Sequence, residues 1–221
     1  TLSTFAHPAV SPDGQWLYYC TALEPEVPGG LEVPDSMKTR QRVAFFDRYY
    51  YDIRRLPYDP QTRRFGSSEL VVDCRNRKRS ASFPRISPDG RYLLFTWADC
   101  ATFPIHHKEA DLKMIDLKEQ QNPTSGDVLS IDEINSPDVD SYHSWSSSGR
   151  WVVLSSKRID GRYTRLFLSH WDGRKFSKPM LLPQQDPEHN LQRMYSYNIP
   201  EFMKRPIDID RNEMASLFVI D

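Results

Sequence analysis

The sequence predicts an all-β fold made of β-propeller blades, and three observations carry that prediction. A short unit recurs three times, each copy reading strand, tight turn, strand. The first two copies share the turn tetrapeptide Ser-Pro-Asp-Gly. The residues after each turn are aromatic and β-branched, as a half-buried strand requires. Self-similarity at a roughly fixed period bounds the architecture more firmly than any single element.

The copies span 9–19, 85–95 and 144–154. Ser11-Pro12-Asp13-Gly14 leads into Gln15-Trp16-Leu17-Tyr18-Tyr19, and Ser87-Pro88-Asp89-Gly90 into Arg91-Tyr92-Leu93-Leu94-Phe95. In the third copy Ser147-Ser148 replaces Pro-Asp ahead of Gly149. Proline presets φ for such a turn, aspartate accepts hydrogen bonds from nearby backbone, and glycine tolerates positive φ. Asp13, Gly14, Asp89, Gly90 and Gly149 are therefore read as structural turn residues, not catalytic ones.

From the turns outward the elements follow in order. Blade one, about 7–73, has predicted strands at Pro8–Ser11, Trp16–Ala22, Tyr49–Leu56 and Leu70–Asp73, with a turn over Tyr58–Thr62. Blade two, about 83–134, has them at Phe83–Ile86, Tyr92–Trp97, Asp111–Leu117 and Val128–Ile131. Blade three, about 142–183, has them at Tyr142–Trp145, Trp151–Ser156, Arg165–His170 and Pro179–Leu182, and Trp171-Asp172-Gly173 closes its second hairpin. Four short strands per unit with turn residues at each reversal is the propeller blade pattern. The blades occupy 5–202, and 203–221 forms a C-terminal tail ending in the apolar Leu217-Phe218-Val219-Ile220.

The spacing from Gly14 to Gly90, and from Gly90 to Gly149, exceeds the about 40–45 residues of a compact blade. In blade one the excess falls in the Pro- and charge-rich stretch 23–48, a lid or binding loop or else a mobile excursion. Rings close with about four to eight blades, so three leave two sheet faces uncovered. The expectation is the C-terminal half of a six-bladed propeller, completed by N-terminal blades or by a second copy of the chain.

Composition narrows the function classes. The 221 residues carry a net charge of −1, which gives no bulk electrostatic reason to expect nucleic acid. No apolar run reaches the ~18 residues of a membrane span. The chain starts at Thr1 with no signal peptide in view, so a mature or trimmed product is expected. The three cysteines, Cys20, Cys74 and Cys100, form no Cys-x-x-Cys, and free thiols are expected over a single disulfide.

No Gly-x-Ser-x-Gly elbow is present, so serine hydrolase chemistry has no nucleophile here. His106-His107-Lys108-Glu109-Ala110-Asp111 is the densest set of potential metal ligands, but its spacing matches no established site. Solvated loop charge is the preferred reading, with no metal and no cofactor predicted. Arg75-Asn76-Arg77-Lys78-Arg79, whose composition suits a phosphate or acidic partner, and Lys157-Arg158-Ile159-Asp160-Gly161-Arg162 read likewise as solvated surface. In a propeller the innermost strand of each blade lines the central channel. His7, Phe83-Pro84 and His143 are expected at matching places there, and the ligand-binding candidates are His7, Asp138, Asp140, Tyr142 and His143. Blade packing is the competing reading for His143 and Trp145. Asp138 and Asp140 alone fall short of the six to eight oxygens of a calcium site.

Ser11–Tyr19 and Ser87–Phe95 resemble the WD-like repeat of the TolB family of periplasmic propellers. Asp116-Leu117-Lys118 is similar to that family's third-strand ending. The stretch from Asn135 to Ser146, and Tyr197-Asn198-Ile199-Pro200-Glu201-Phe202, resemble TolB-like proteins of Bacteroidetes in particular. The resemblance covers about 5–202. It implies a periplasmic or outer-membrane-associated propeller that binds an envelope protein or peptide without catalysis. The separate N-terminal domain by which TolB engages its Tol partners has no counterpart in this sequence, so the propeller alone carries over. The alternative is the propeller of an enzyme: a peptidase gate, or a polysaccharide lyase with a channel-mouth histidine and metal site.

Overall fold

The computed structural model describes residues 3–23, 46–118, 128–129 and 131–205. Three antiparallel sheets follow one another along the chain, and the fold is all-β. In the first, β1 (Ser3–Val10), β2 (Trp16–Leu23), β3 (Asp52–Asp59) and β4 (Arg64–Phe65) lie in that order, and β5 (Glu69–Val72) also pairs with β3. The second orders β6 (Ser80–Ile86), β7 (Tyr92–Ala98) and β8 (Asp111–Asp116). The third runs β9 (Asp140–Trp145), β10 (Trp151–Ser156), β11 (Arg165–His170) and β12 (Met180–Leu181). β1, β6 and β9 each form one edge of their sheet and lie beside one another. These are propeller blades with their first strands gathered on one side.

Some boundaries differ from expectation. β1 begins before Pro8 and so includes His7. The predicted Tyr58–Thr62 turn lies within an added β3–β4 hairpin, which pairs Tyr58 with Phe65. The fourth strand of blade two is reduced, among the described residues, to one bridge between Met114 and Leu129. Most of the 23–48 stretch, and the apolar end at Leu217–Ile220, lie outside the described residues. No described helix is long and apolar enough to cross a membrane.

The three turns share one hydrogen-bond pattern. The hydroxyl of Ser11 donates to Asp13 Oδ1 (2.5 Å) and accepts from Trp16 N–H (2.9 Å), while Gly14 N–H reaches Ser11 O (2.9 Å). Ser87, Asp89, Tyr92 and Gly90 repeat this, with 2.5, 2.8 and 2.8 Å for the same three contacts. In blade three Ser146 accepts from Trp151 N–H at 3.0 Å, and the Ser148 hydroxyl stands where aspartate stood, 3.1 Å from Ser146 Oγ. Gly14, Gly90 and Gly149 sit at φ +71°, +71° and +68°, a region open to glycine at no steric cost.

The core lies between blades. Tyr18, Cys20, Ile53 and Val71 of blade one pack against Ala81, Leu93 and Phe95 of blade two. The other face of blade two presents Leu94, Leu112 and Met114 to Val152, Leu154 and Phe167 of blade three. Both faces of β7 are covered, which is why it reads as a near-continuous apolar run. Each such Leu or Phe contributes about 1.5–3 kcal/mol by burial. The outer face of blade one stays open, with Phe5 67% exposed. Beyond blade three, Arg165 (1% exposed) donates to the carbonyls of Arg193 (2.6 Å), Tyr195 (3.0 Å) and Asn190, and so fixes the turn around α1 (His189–Gln192) against β11.

Candidate ligand-binding site

Each first strand is interrupted at the same place. Pairing jumps from Ala6–Cys20 to Ala9–Tyr18, from Ser82–Thr96 to Arg85–Leu94, and from Ser141–Ser155 to Ser144–Val153. Two residues thus oppose one, which is a β-bulge: His7-Pro8, Phe83-Pro84 and Tyr142-His143. The first residue of each bulge is left-handed, with φ +51° at His7, +53° at Phe83 and +40° at Tyr142. For bulky side chains this is a genuine outlier.

The bulges re-aim three rings into one stack. The His7 and Phe83 centroids lie 3.9 Å apart, and Phe83 meets Tyr142 edge-on at 4.7 Å. Tyr142 is the buried end, 7% exposed, and His7 and Phe83 are half-buried. The Thr102 hydroxyl, from the loop after β7, shares a 2.5 Å hydrogen bond with His7 Nε2. Burial lowers the pKa of His7, the Thr102 contact opposes that, and the Arg85 cation adds to it. Burial raises the Tyr142 hydroxyl. Near neutral pH the cluster is therefore uncharged: two apolar rings and one imidazole, tilted 39° and 74° against their neighbours.

One expected match is corrected. Tyr142, not His143, is the counterpart of His7 and Phe83, because all three are the first, left-handed residue of their bulge and lie equally far ahead of the turn glycine. His143 takes the place of Pro8 and Pro84. It is 2% exposed, its Nε2 lies 3.1 Å from Leu94 O, and burial drives its pKa from 6.5 to about 3. It is a neutral histidine packed between blades two and three, out of reach of a ligand.

Asp138 lies in the loop before β9, and Asp140 is the first residue of β9, paired with Ser156. Asp140 is fully buried and its Oδ1 accepts from Arg158 Nη2 at 2.5 Å. Arg158 also donates to Ile134 O (2.8 Å) and Ser156 Oγ (2.9 Å), and its guanidinium lies 4.7 Å over the Phe167 ring. Asp140 Oδ2 has no hydrogen-bond partner among the described residues but is buried with the pair, out of a ligand's reach. Asp138 Oδ1 accepts from Val139 N–H at 2.8 Å. Of the five candidates, then, the structure brings His7 and Tyr142 together, through Phe83.

The remaining charged segments are largely engaged. In the 75–79 run Arg75 faces Asp52 at 3.6 Å and Arg79 pairs with Asp99. His107 Nδ1 lies 3.1 Å from Glu109. Among the described residues no group of three or more His, Cys, Asp or Glu could hold a metal ion. Cys20 and Cys74 are buried free thiols, and Cys100 is a half-buried one.

Sequence reasoning noted Phe83 only as a matching position and missed Thr102, Arg85 and Glu201. The signal for the stack was available. His7, Phe83 and Tyr142 lie the same number of residues ahead of Gly14, Gly90 and Gly149, so counting back from the turns finds all three.

No protein-family model matches the sequence, and no curated protein does. Solved structures do align with it. TolB from Acinetobacter baumannii is 15% identical at TM-score 0.44, covering 80% of this chain and 32% of that one. The β-propeller domain of the Trilobed protease from Pyrococcus furiosus is 13% identical at TM-score 0.44, covering 84% and 44%. The Hadza microbial sialidase Hz136 is 8% identical at TM-score 0.50, covering 79% and 37%. This chain spans less than half the length of each. At such identity the sialidase alignment shows the fold alone.

Proposed function

We propose that this chain is part of a non-catalytic propeller of the bacterial cell envelope, periplasmic or outer-membrane-associated, that binds an extended peptide or protein segment along its first strands. The observation that carries the reading is the stack of His7, Phe83 and Tyr142. A left-handed non-glycine residue costs about 1–2 kcal/mol, and glycine would build the same bulge without that cost. Three rings held at three strained positions argue that the rings themselves are used. Aromatic rings suit contact with proline and apolar side chains of a peptide, and such anchors dominate binding energy. The envelope setting rests on the resemblance of the Ser-Pro-Asp-Gly repeat and of Tyr197–Phe202 to TolB-like proteins of Bacteroidetes. Further blades, N-terminal or from a second copy, complete the ring in this reading and cover Phe5.

The test is binding of short apolar, acidic and basic peptides, followed by amide chemical shifts. The tightest binder is expected to perturb Ser82, Ser141 and Thr102, and Phe83→Ala to weaken it about tenfold. Undiminished affinity in a folded Phe83→Ala protein removes the stack from the site.

A further inference from the structure

Below the stack the first strands border a cleft of about 390 Å³, with Val10, Arg85, Pro88, Trp145 and Ser147 among its walls. Arg85 follows Phe83 by two positions on β6. Its Nη2 donates to Glu201 Oε1, and its Nε is buried with no hydrogen-bond partner among the described residues. Trp145 Nε1 donates to the Arg85 carbonyl at 3.3 Å, which fixes the indole as an apolar wall beside the guanidinium. A second cation, Lys204, lines the same cleft.

The carboxylate on Arg85 comes from a segment whose described hydrogen bonds to the blades lie on its N-terminal side. Tyr197 O accepts from Ser155 Oγ (2.9 Å), and Asn198 Oδ1 accepts from Thr164 Oγ1 (2.7 Å). Beyond them Ile199, Phe202 and Met203 are exposed, and no strand or helix holds 199–205. Glu201 is itself 50% exposed. A half-exposed ion pair of this kind is weakly held. Arg85, in contrast, sits on a paired strand, and its buried Nε–H has no hydrogen-bond partner among the described residues. A guanidinium binds a carboxylate best through two parallel donors.

We propose that Arg85 anchors a carboxylate-binding subsite continuous with the ring stack. Glu201 occupies it in the free chain, and the ligand's carboxylate displaces Glu201. The ligand class is a peptide bearing a carboxylate next to apolar residues. The carboxylate is an acidic side chain or the C-terminus. The inference rests on the peptide-binding reading above, and it fails separately from it. The stack is tested at Phe83, the subsite at Arg85 and Glu201.

The experiment is fluorescence anisotropy with three labelled peptides. One alternates glutamate and leucine and has an amidated C-terminus. The second replaces glutamate by glutamine. The third is the glutamine peptide with a free C-terminal carboxylate. Glu201→Gln is expected to tighten a carboxylate-bearing probe about fivefold, and Arg85→Gln to weaken it about tenfold. The amidated glutamine peptide responds to neither. Whichever carboxylate probe responds identifies the source. Glu201 lies on the surface, so Glu201→Gln keeps the test decisive even if Arg85→Gln fails to fold. Equal affinity of Glu201→Gln and the unaltered chain for both carboxylate probes, or no binding of either, overturns the proposal.

Discussion

The two ends of the first strands are each built three times, but in opposite ways. At the turn end the residues repeat and every bond closes locally: Ser11 or Ser87 satisfies an aspartate and a backbone N–H within five residues. At the bulge end the backbone repeats and the residues do not. His7, Phe83 and Tyr142 share a left-handed φ but no chemistry, and their rings touch across blades. Repeated sequence here marks local necessity. Repeated geometry with varied side chains marks a surface whose contacts, not its folding, select the residues.

The largest expected effect lies at the second bulge residue of blade three, His143. Its folded pKa of about 3 lies below its ordinary 6.5. The unfolded chain therefore takes up a proton that the folded chain refuses, and stability falls as pH drops through 6.5 toward 3. From pH 7 to pH 5 urea midpoints should record a loss of about 2 kcal/mol. His143→Gln should remove most of that loss, and an unchanged loss would place the proton elsewhere.

At the turn end the effects are smaller. Gly90→Val introduces a β-branched residue at φ +71° with no neighbour within 4 Å, so backbone strain alone should cost ~1–2 kcal/mol in thermal or urea unfolding. Ser87→Ala removes one donor and one acceptor and should cost about 1 kcal/mol. Ser148→Asp restores the carboxylate missing from the third turn. It gives Arg150 N–H, now 3.4 Å from the Ser148 hydroxyl, a charged acceptor, and should raise stability by about 0.5 kcal/mol. A loss there would show that the third turn has diverged in structure as well as in sequence.

The same contrast explains what could be read in advance. The turns and the strands after them were legible because proline, aspartate and glycine act within a few residues. The bulge itself was not, since a left-handed residue and its extra partner leave no local signal in residue type. Matching His143 to His7 by residue type, instead of counting back from the turn glycines, put it in the place of Tyr142. Asp140 read as a candidate ligand because nothing local shows that Arg158, on the loop after β10, already holds it. Arg85 and Glu201 lie 116 residues apart, and only the folded blades bring them together.

The most direct test of the ring stack is Phe83→Gly, read for stability and binding together. Glycine relieves about 1–2 kcal/mol of left-handed strain, gives up two ring contacts of about 0.5–1.5 kcal/mol each, and loses about 1 kcal/mol from the burial of a half-buried ring. The account predicts a stability loss of about 1–2 kcal/mol and an affinity for the responding carboxylate peptide about tenfold weaker. Affinity intact in the protein that remains folded would make the stack blade packing and contradict the account.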